Sequence, residues 1–240
     1  NPDQLDSVEA VGVTAAERAL QKLGSRRIPT GEYPVIFDAT VSGSLISHLV
    51  SGISGGLLYK KASFLTDQLG EKIFPEFIDI FEHPRLYSAM NSACFDGEGV
   101  ATPDQRGMIE GGYLRGYVLG SYTARKLDMR STANSGGVRN VRVSHGDKTR
   151  DDLLRDMGTG LLVTDLIGSG INMLTGDYSR GASGFWVENG ELQFPVQEIT
   201  VAGKLRQMFS GFQEIAADSL NRVNIHCGSI LLDKLTVAGD

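Results

Sequence analysis

The chain reads as an α+β protein: mostly antiparallel β-sheet or an open barrel, with three or four covering helices. Three observations predict this. Residues 158–203 hold nine glycines in 46 positions, too many for a helix, because each interior Gly costs about 0.5–1 kcal/mol relative to Ala. Between those glycines lie short runs of β-formers at 161–163, 185–187, 192–196 and 199–201, separated at one point by Asn189-Gly190, the pair a type I′ hairpin turn demands. Finally, no regular alternation of strand and crossover helix runs through the chain, as a doubly wound parallel sheet would need.

The other elements follow in order. Residues 8–23 set Ala15, Ala16, Ala19, Leu20 and Leu23 at helical spacing, with Thr14 and Glu17 as a capping box and Gly24 as the stop. A basic loop over 25–31 leads to a strand at 33–39, which Pro34 assigns to an edge or a first position. Leu45, Leu49 and Ile53 form an i, i+4, i+8 stripe, predicting a short helix over 42–56 that stops at Gly55-Gly56. Residues 59–69 turn into a helix or strand on the core, 73–81 read as a strand broken by Pro75, and 93–102 as a glycine-punctuated turn. Alternation predicts a half-buried strand over 108–119. A helix at 121–127, a polar loop at 131–137, a strand at 138–143 and a helix at 148–157 follow. After Gly203, Leu205, Met208, Phe209, Phe212 and Ile215 mark one face of a helix over 204–219, and strands at 225–232 and 234–237 close the sheet.

At 240 residues, 41% hydrophobic and 22% charged, the chain suffices for a single domain (residues 1–240) with its own core. A net charge of −6 and a pI near 5.3 argue against nucleic acid as a partner. No apolar run approaches the ~18–20 residues that span a bilayer, so no membrane partner is expected. Cys94 and Cys227 form no CxxC or CxxH pattern, and the plain reading is a reduced, cytoplasmic setting. Phosphate-cradle and nucleophile-elbow motifs are absent.

Four places hold side chains that could carry chemistry. His48 sits on the 42–56 helix, either as a hydrogen-bonded structural residue or as a ligand or base. Cys227 follows His226, but neighbours on a strand face opposite ways and rarely chelate one ion, leaving Cys227 as a small strand residue or a single ligand. Asp96 and Glu98, two apart among glycines, read as a solvated loop rather than a carboxylate pair. Asp177, Tyr178, Ser179 and Arg180 belong to a polar run that is either a turn network or one wall of a cleft.

The strings GDYSRGASGFWVENGEL (176–192), PVQEITVAG (195–203) and FDGEGVAT (95–102) closely resemble the TldD/PmbA family, once called modulators of DNA gyrase, and within it the PmbA (TldE) branch. The resemblance covers essentially the whole chain. It implies the C-terminal half of a longer protein, with residues 1–31 connecting to an N-terminal domain absent here. In the TldD branch the helix matching 42–56 bears His-Glu-x-x-x-His, two imidazoles for zinc and a Glu base. Aligned on Val50, this chain has Ser47 and Gly52 at the two His positions and His48 at the Glu position. Only Cys227 matches the family's third ligand. The family's usual Gly stands as Ala133 here.

The resemblance therefore implies a subunit of a TldD–TldE-type metallopeptidase acting on unfolded or leader peptides, itself without the zinc ligands and so a non-catalytic scaffold of the peptide chamber. No cofactor is expected in this chain, and zinc is expected in a TldD-like partner, met as a heterodimer; self-association is the other arrangement. Asp177, Tyr178, Ser179 and Arg180 are candidates for the chamber wall or the subunit contact. Two alternatives stay open. One is an independent hydrolase with a displaced site using His48, His226 or Cys227, and the other is a non-proteolytic binding or regulatory module.

Overall fold

The computed structural model describes residues 5–220 and 223–239. The first half of the chain contributes α1 (Val8–Gln21), β1 (Gly31–Phe37), α2 (Ala39–Gly52), α3 (Gly55–Leu58), β2 (Ile80–Glu82), β3 (Arg106–Glu110), β4 (Tyr113–Leu114) and α4 (Ser121–Lys126). The second contributes β5 (Val141–Val143), α5 (Arg150–Met157), β6 (Gly160–Ile167), β7 (Ile171–Asn172), β8 (Asp177–Glu188), β9 (Glu191–Lys204), α6 (Leu205–Ser210), β10 (Phe212–Ile215), β11 (Ile225–His226) and β12 (Ile230–Ala238).

The glycine-rich stretch supplies the antiparallel strands β6, β8 and β9. Asn189 and Gly190 join β8 to β9 with φ of 55° and 78°, the left-handed pair that the sequence demands. Gly184 is required by proximity: a Cβ there would lie 1.8 Å from the Leu162 carbonyl oxygen. β1 then pairs in parallel with β6 and antiparallel with β12, while β12 pairs with β9 at one end and β10 at the other. The path β1-β6-β8-β9-β12 thus returns to β1 and closes into a ring, with β7 and β10 paired onto it from outside. The architecture is α+β, mostly antiparallel, with six helices among the described residues. The parallel β1–β6 pair has no single crossover helix; everything between Phe37 and Gly160 serves as its connection.

Strand alternation sorts the core into two layers. Val35, Phe37, Leu161, Val163, Ile230 and Leu232 join the main cluster with Leu45, Ile46 and Leu49 of α2. The intervening Ile36, Leu162 and Leu231 face the other way, onto Leu153 and Leu154 of α5. That helix starts where Thr149 Oγ1 accepts from the Asp152 N–H (3.2 Å) and the Thr149 N–H donates to Asp152 Oδ2 (2.8 Å). A second sheet, β11-β5-β2-β3-β4, is pinned by Glu82, 1% exposed. Its carboxylate accepts from Arg106 Nη2 (2.6 Å), Asn134 Nδ2 (2.9 Å) and the Arg139 N–H (2.7 Å).

Several elements depart from the sequence reading. α1 begins after Ser7, whose Oγ accepts from the Ala10 N–H (3.1 Å); Thr14 and Glu17 lie inside the helix. Residues 204–219 bury Met208, Phe209, Phe212 and Ile215 as expected, but the helix ends at Ser210 and Phe212–Ile215 is a strand on β12. Pairing with Leu232, Leu231 and Ile230 overrides the helical spacing there. The strand expected over 73–81 shrinks to Ile80–Glu82, and Phe74 stacks on Phe209 instead (centroids 4.8 Å apart). The strand expected over 108–119 breaks at Gly111-Gly112, both at positive φ. Ala133 takes φ of 58°, a left-handed conformation that favours glycine.

Candidate functional site

The helix α2 starts at Asp38, whose Oδ1 accepts from the Thr40 N–H (2.9 Å), and buries Ser42, Leu45, Ile46, Leu49 and Gly52. Ser47 turns its hydroxyl back on its own helix, donating to the Gly43 carbonyl (3.0 Å). Gly52 is walled in. A Cβ at this position would sit 3.0 Å from Leu65 Cδ1 and 3.1 Å from Phe64 Cε1, and the Gly52 carbonyl accepts from Ser63 Oγ (2.6 Å). Cys227 lies level with the first turn of the helix, its carbonyl accepting from Ser42 Oγ (3.2 Å). Burial pushes the Cys227 thiol up to about 12 in the metal-free chain.

These positions do not fit zinc. One offers a hydroxyl already in use and one a bare Cα against packed apolar groups, which leaves Cys227 as a single sulfur donor where Zn²⁺ takes a set of N, S or O donors. No cluster of three or more His, Cys, Asp or Glu side chains capable of holding a metal occurs among the described residues. His226, on β11, is lowered by burial and by Arg142 beside it, and its strand neighbour is Arg142 of β5.

His48 leaves the same helix toward β8. Its ring meets that of Tyr178 with centroids 5.9 Å apart and planes at 64°, an edge-on aromatic pair. Tyr178 is 1% exposed, and burial pushes its hydroxyl up to about 12 although the Arg180 guanidinium beside it pulls the other way. The His48 imidazole is lowered by burial and then by Arg180. His48 Nε2, Tyr178 Oη and Arg180 Nε are all buried and lack an aligned hydrogen-bond partner among the described residues. The Arg180 guanidinium lies within hydrogen-bonding reach of the phenol, although neither Tyr178 Oη nor Arg180 Nε has an aligned partner among the described residues.

The four residues 177–180 therefore separate by strand alternation. Tyr178 and Arg180 share a face with His48. Asp177 instead pairs with Lys204 and accepts from Thr175, which hold its carboxyl below the usual range. Ser179 is exposed, its N–H donating to the Gly170 carbonyl (2.7 Å). The loop of Asp96 and Glu98 is solvated at Phe95, Gly97, Glu98 and Gly99, but the Asp96 side chain turns inward and is 3% exposed. Burial pushes its carboxyl up, yet the N–H groups of Ser135, Val100 and Glu98 hold it below its ordinary value. Glu98 accepts from the Ser121 N–H (2.7 Å), so both carboxylates are turn anchors. Two features have no local signature in the sequence. The approach of His48 to Tyr178 is one, and the other is a groove of about 560 Å³ lined in part by Arg18, Lys22, Asp38, Arg150 and Asp165.

The profile of the PmbA/TldA metallopeptidase C-terminal domain matches residues 30–239. The chain belongs to this family. "Metalloprotease PmbA" of Escherichia coli O157:H7 is 46% identical over 235 residues, covering 98% of this chain and 52% of the relative. The chain thus spans about half the length of the curated relatives it matches. A Thermotoga maritima crystal structure, named as a candidate modulator of a DNA gyrase, superposes with a TM-score of 0.91 at 32% identity, over 99% of this chain and 56% of that one. TldE from Thermococcus kodakarensis shares the fold, with a TM-score of 0.81 at 24% identity, over 97% of this chain and 56% of that one. No helix among the described residues is long and apolar enough to cross a membrane.

Proposed function

We propose that this chain is the PmbA/TldE-type subunit of a two-subunit, cytoplasmic metallopeptidase acting on unfolded or leader peptides. It forms part of the peptide chamber, and a TldD-type partner carries the zinc and cleaves the bond. The observation that carries this reading is the packing of α2: Ser47 is bonded to Gly43, and Gly52 is sealed by Phe64 and Leu65. A chain that keeps the family's fold while filling its metal corner with packing contributes shape rather than a Lewis acid. Extended peptides suit such a surface, because strand edges recognise main chain with little demand on sequence; β11 and β4 are the edges of the second sheet.

The test is metal content and peptidase activity of the purified chain, alone and mixed with a TldD-type chain, on an unfolded fluorogenic polypeptide. Expected are no stoichiometric zinc and no cleavage alone, with cleavage and a mixed complex once the partner is added. A second reading, an independent hydrolase, draws on the unpartnered polar atoms of His48, Tyr178 and Arg180 and on the relatives' name of metalloprotease. Stoichiometric zinc lost in Cys227→Ala, or cleavage by the chain unaided, would replace the first reading with the second.

A further inference from the structure

We propose that His48, Tyr178 and Arg180 form a receptor for a carboxylate group. Three buried polar atoms without partners converge where α2 meets β8: His48 Nε2, Tyr178 Oη and Arg180 Nε. Interiors rarely leave even one such atom unsatisfied, so three in one corner call for a functional account. The neighbouring polar side chains are committed elsewhere. Asp177 serves Lys204 and Thr175, and Ser47 serves Gly43. None of the ion pairs among the described residues includes Arg180.

The chemistry of the three groups selects the ligand. A guanidinium offers a planar fork that matches the two oxygens of a carboxylate. The phenol adds an O–H donor, and the neutral imidazole adds one N–H or one acceptor according to tautomer. One fixed positive charge beside two neutral groups suits a monoanion. A phosphate dianion would call for a second cation, and Lys204 is held by Asp177. His48 and Arg180 are only half-buried, so a ligand can approach them from solvent. The carboxylate's source follows from the function proposed above, on which this part alone rests: the C-terminus of a bound peptide, held at one end of the chamber.

Calorimetric titration of the native chain with N-acetyl-trialanine, its C-terminal amide, acetate and inorganic phosphate tests this, with His48 imidazole NMR signals reporting location. The acid should bind at least about tenfold more tightly than the amide, shifting His48 and leaving the exposed His145 unmoved. Arg180→Gln should weaken the acid by about tenfold or more, and Tyr178→Phe should weaken it while the fold persists by circular dichroism. Acetate binding as tightly as the tripeptide acid keeps the carboxylate receptor and removes the peptide source. Equal affinity for acid and amide, preference for phosphate, or no binding at millimolar concentration overturns the proposal, as does an unchanged affinity in Arg180→Gln. Should Arg180→Gln not fold, the acid-against-amide comparison on the native chain decides alone. None of these outcomes depends on zinc or on a TldD-type partner, so failure here and failure of the subunit reading are separable.

Discussion

Neighbouring positions on α2 meet opposite surroundings. Ser47 and Gly52 are complete: the hydroxyl is bonded within the helix and the glycine is closed over by Phe64 and Leu65. His48, one residue from Ser47, ends in an unpaired nitrogen beside an unpaired phenol and guanidinium. In the first region every atom has found its contact, so substitution there acts on stability. In the second, atoms wait for a contact, so substitution there should cost little stability and change what the protein holds. The family resemblance draws attention to the first region, whereas the physical chemistry points to the second.

The sharpest way to break this comparison is to restore an imidazole at the closed position. Gly52→His forces a ring into Leu65 and Phe64 and should cost about 3 kcal/mol in urea unfolding, the upper range for overpacking a core. A loss under about 1 kcal/mol would show that the corner can open after all. Next comes Tyr178→Phe. Deleting an unsatisfied buried hydroxyl should leave stability unchanged or raise it by about 1 kcal/mol, measured by thermal unfolding without ligand; a clear loss would mean that the hydroxyl has an internal partner.

The smallest effect is the pH dependence of the same corner. Burial, then Arg180, lowers the His48 imidazole in the folded chain. On acidification the unfolded chain takes its proton first, near its ordinary pKa of about 6.5. This contribution is therefore fully present above that value and is lost as pH falls toward the folded pKa. His83 and His226 are lowered too and act in the same direction. The unfolding temperature should drop from about pH 7.5 to pH 5, and His48→Gln should remove only one share of that slope. A steeper slope in His48→Gln would contradict the burial described.

The sequence made some features plain and hid others, for physical reasons. Asn189-Gly190 and the glycines around β8 signal their own geometry, because few residues tolerate left-handed φ or a carbonyl 1.8 Å from the Cβ position. The hydroxyl at 47 and the bare Cα at 52 were equally plain in the residues themselves. Residues 212–215 were not, since a stripe buried at helical spacing is also buried as a strand once β12 offers a ladder. Asp96 looked solvated because its three backbone donors include Ser135, far along the chain. The corner of His48, Tyr178 and Arg180 was visible only in parts. Each residue was singled out, but a contact across some 130 positions leaves no periodicity to read.

The ring seam joins Gly31 to Val237 and Phe37 to Ile230, and this sets a timetable for synthesis. During translation β1 emerges early, and β6, β8 and β9 can pair in turn, but β1 keeps an open side until β12 has left the ribosome. Such distant pairing makes for slow folding, and Val35, Ile36 and Phe37 meanwhile expose an apolar strand that other nascent chains could join. A chaperone or a slow ribosome would matter most in that interval, before Ile230 appears.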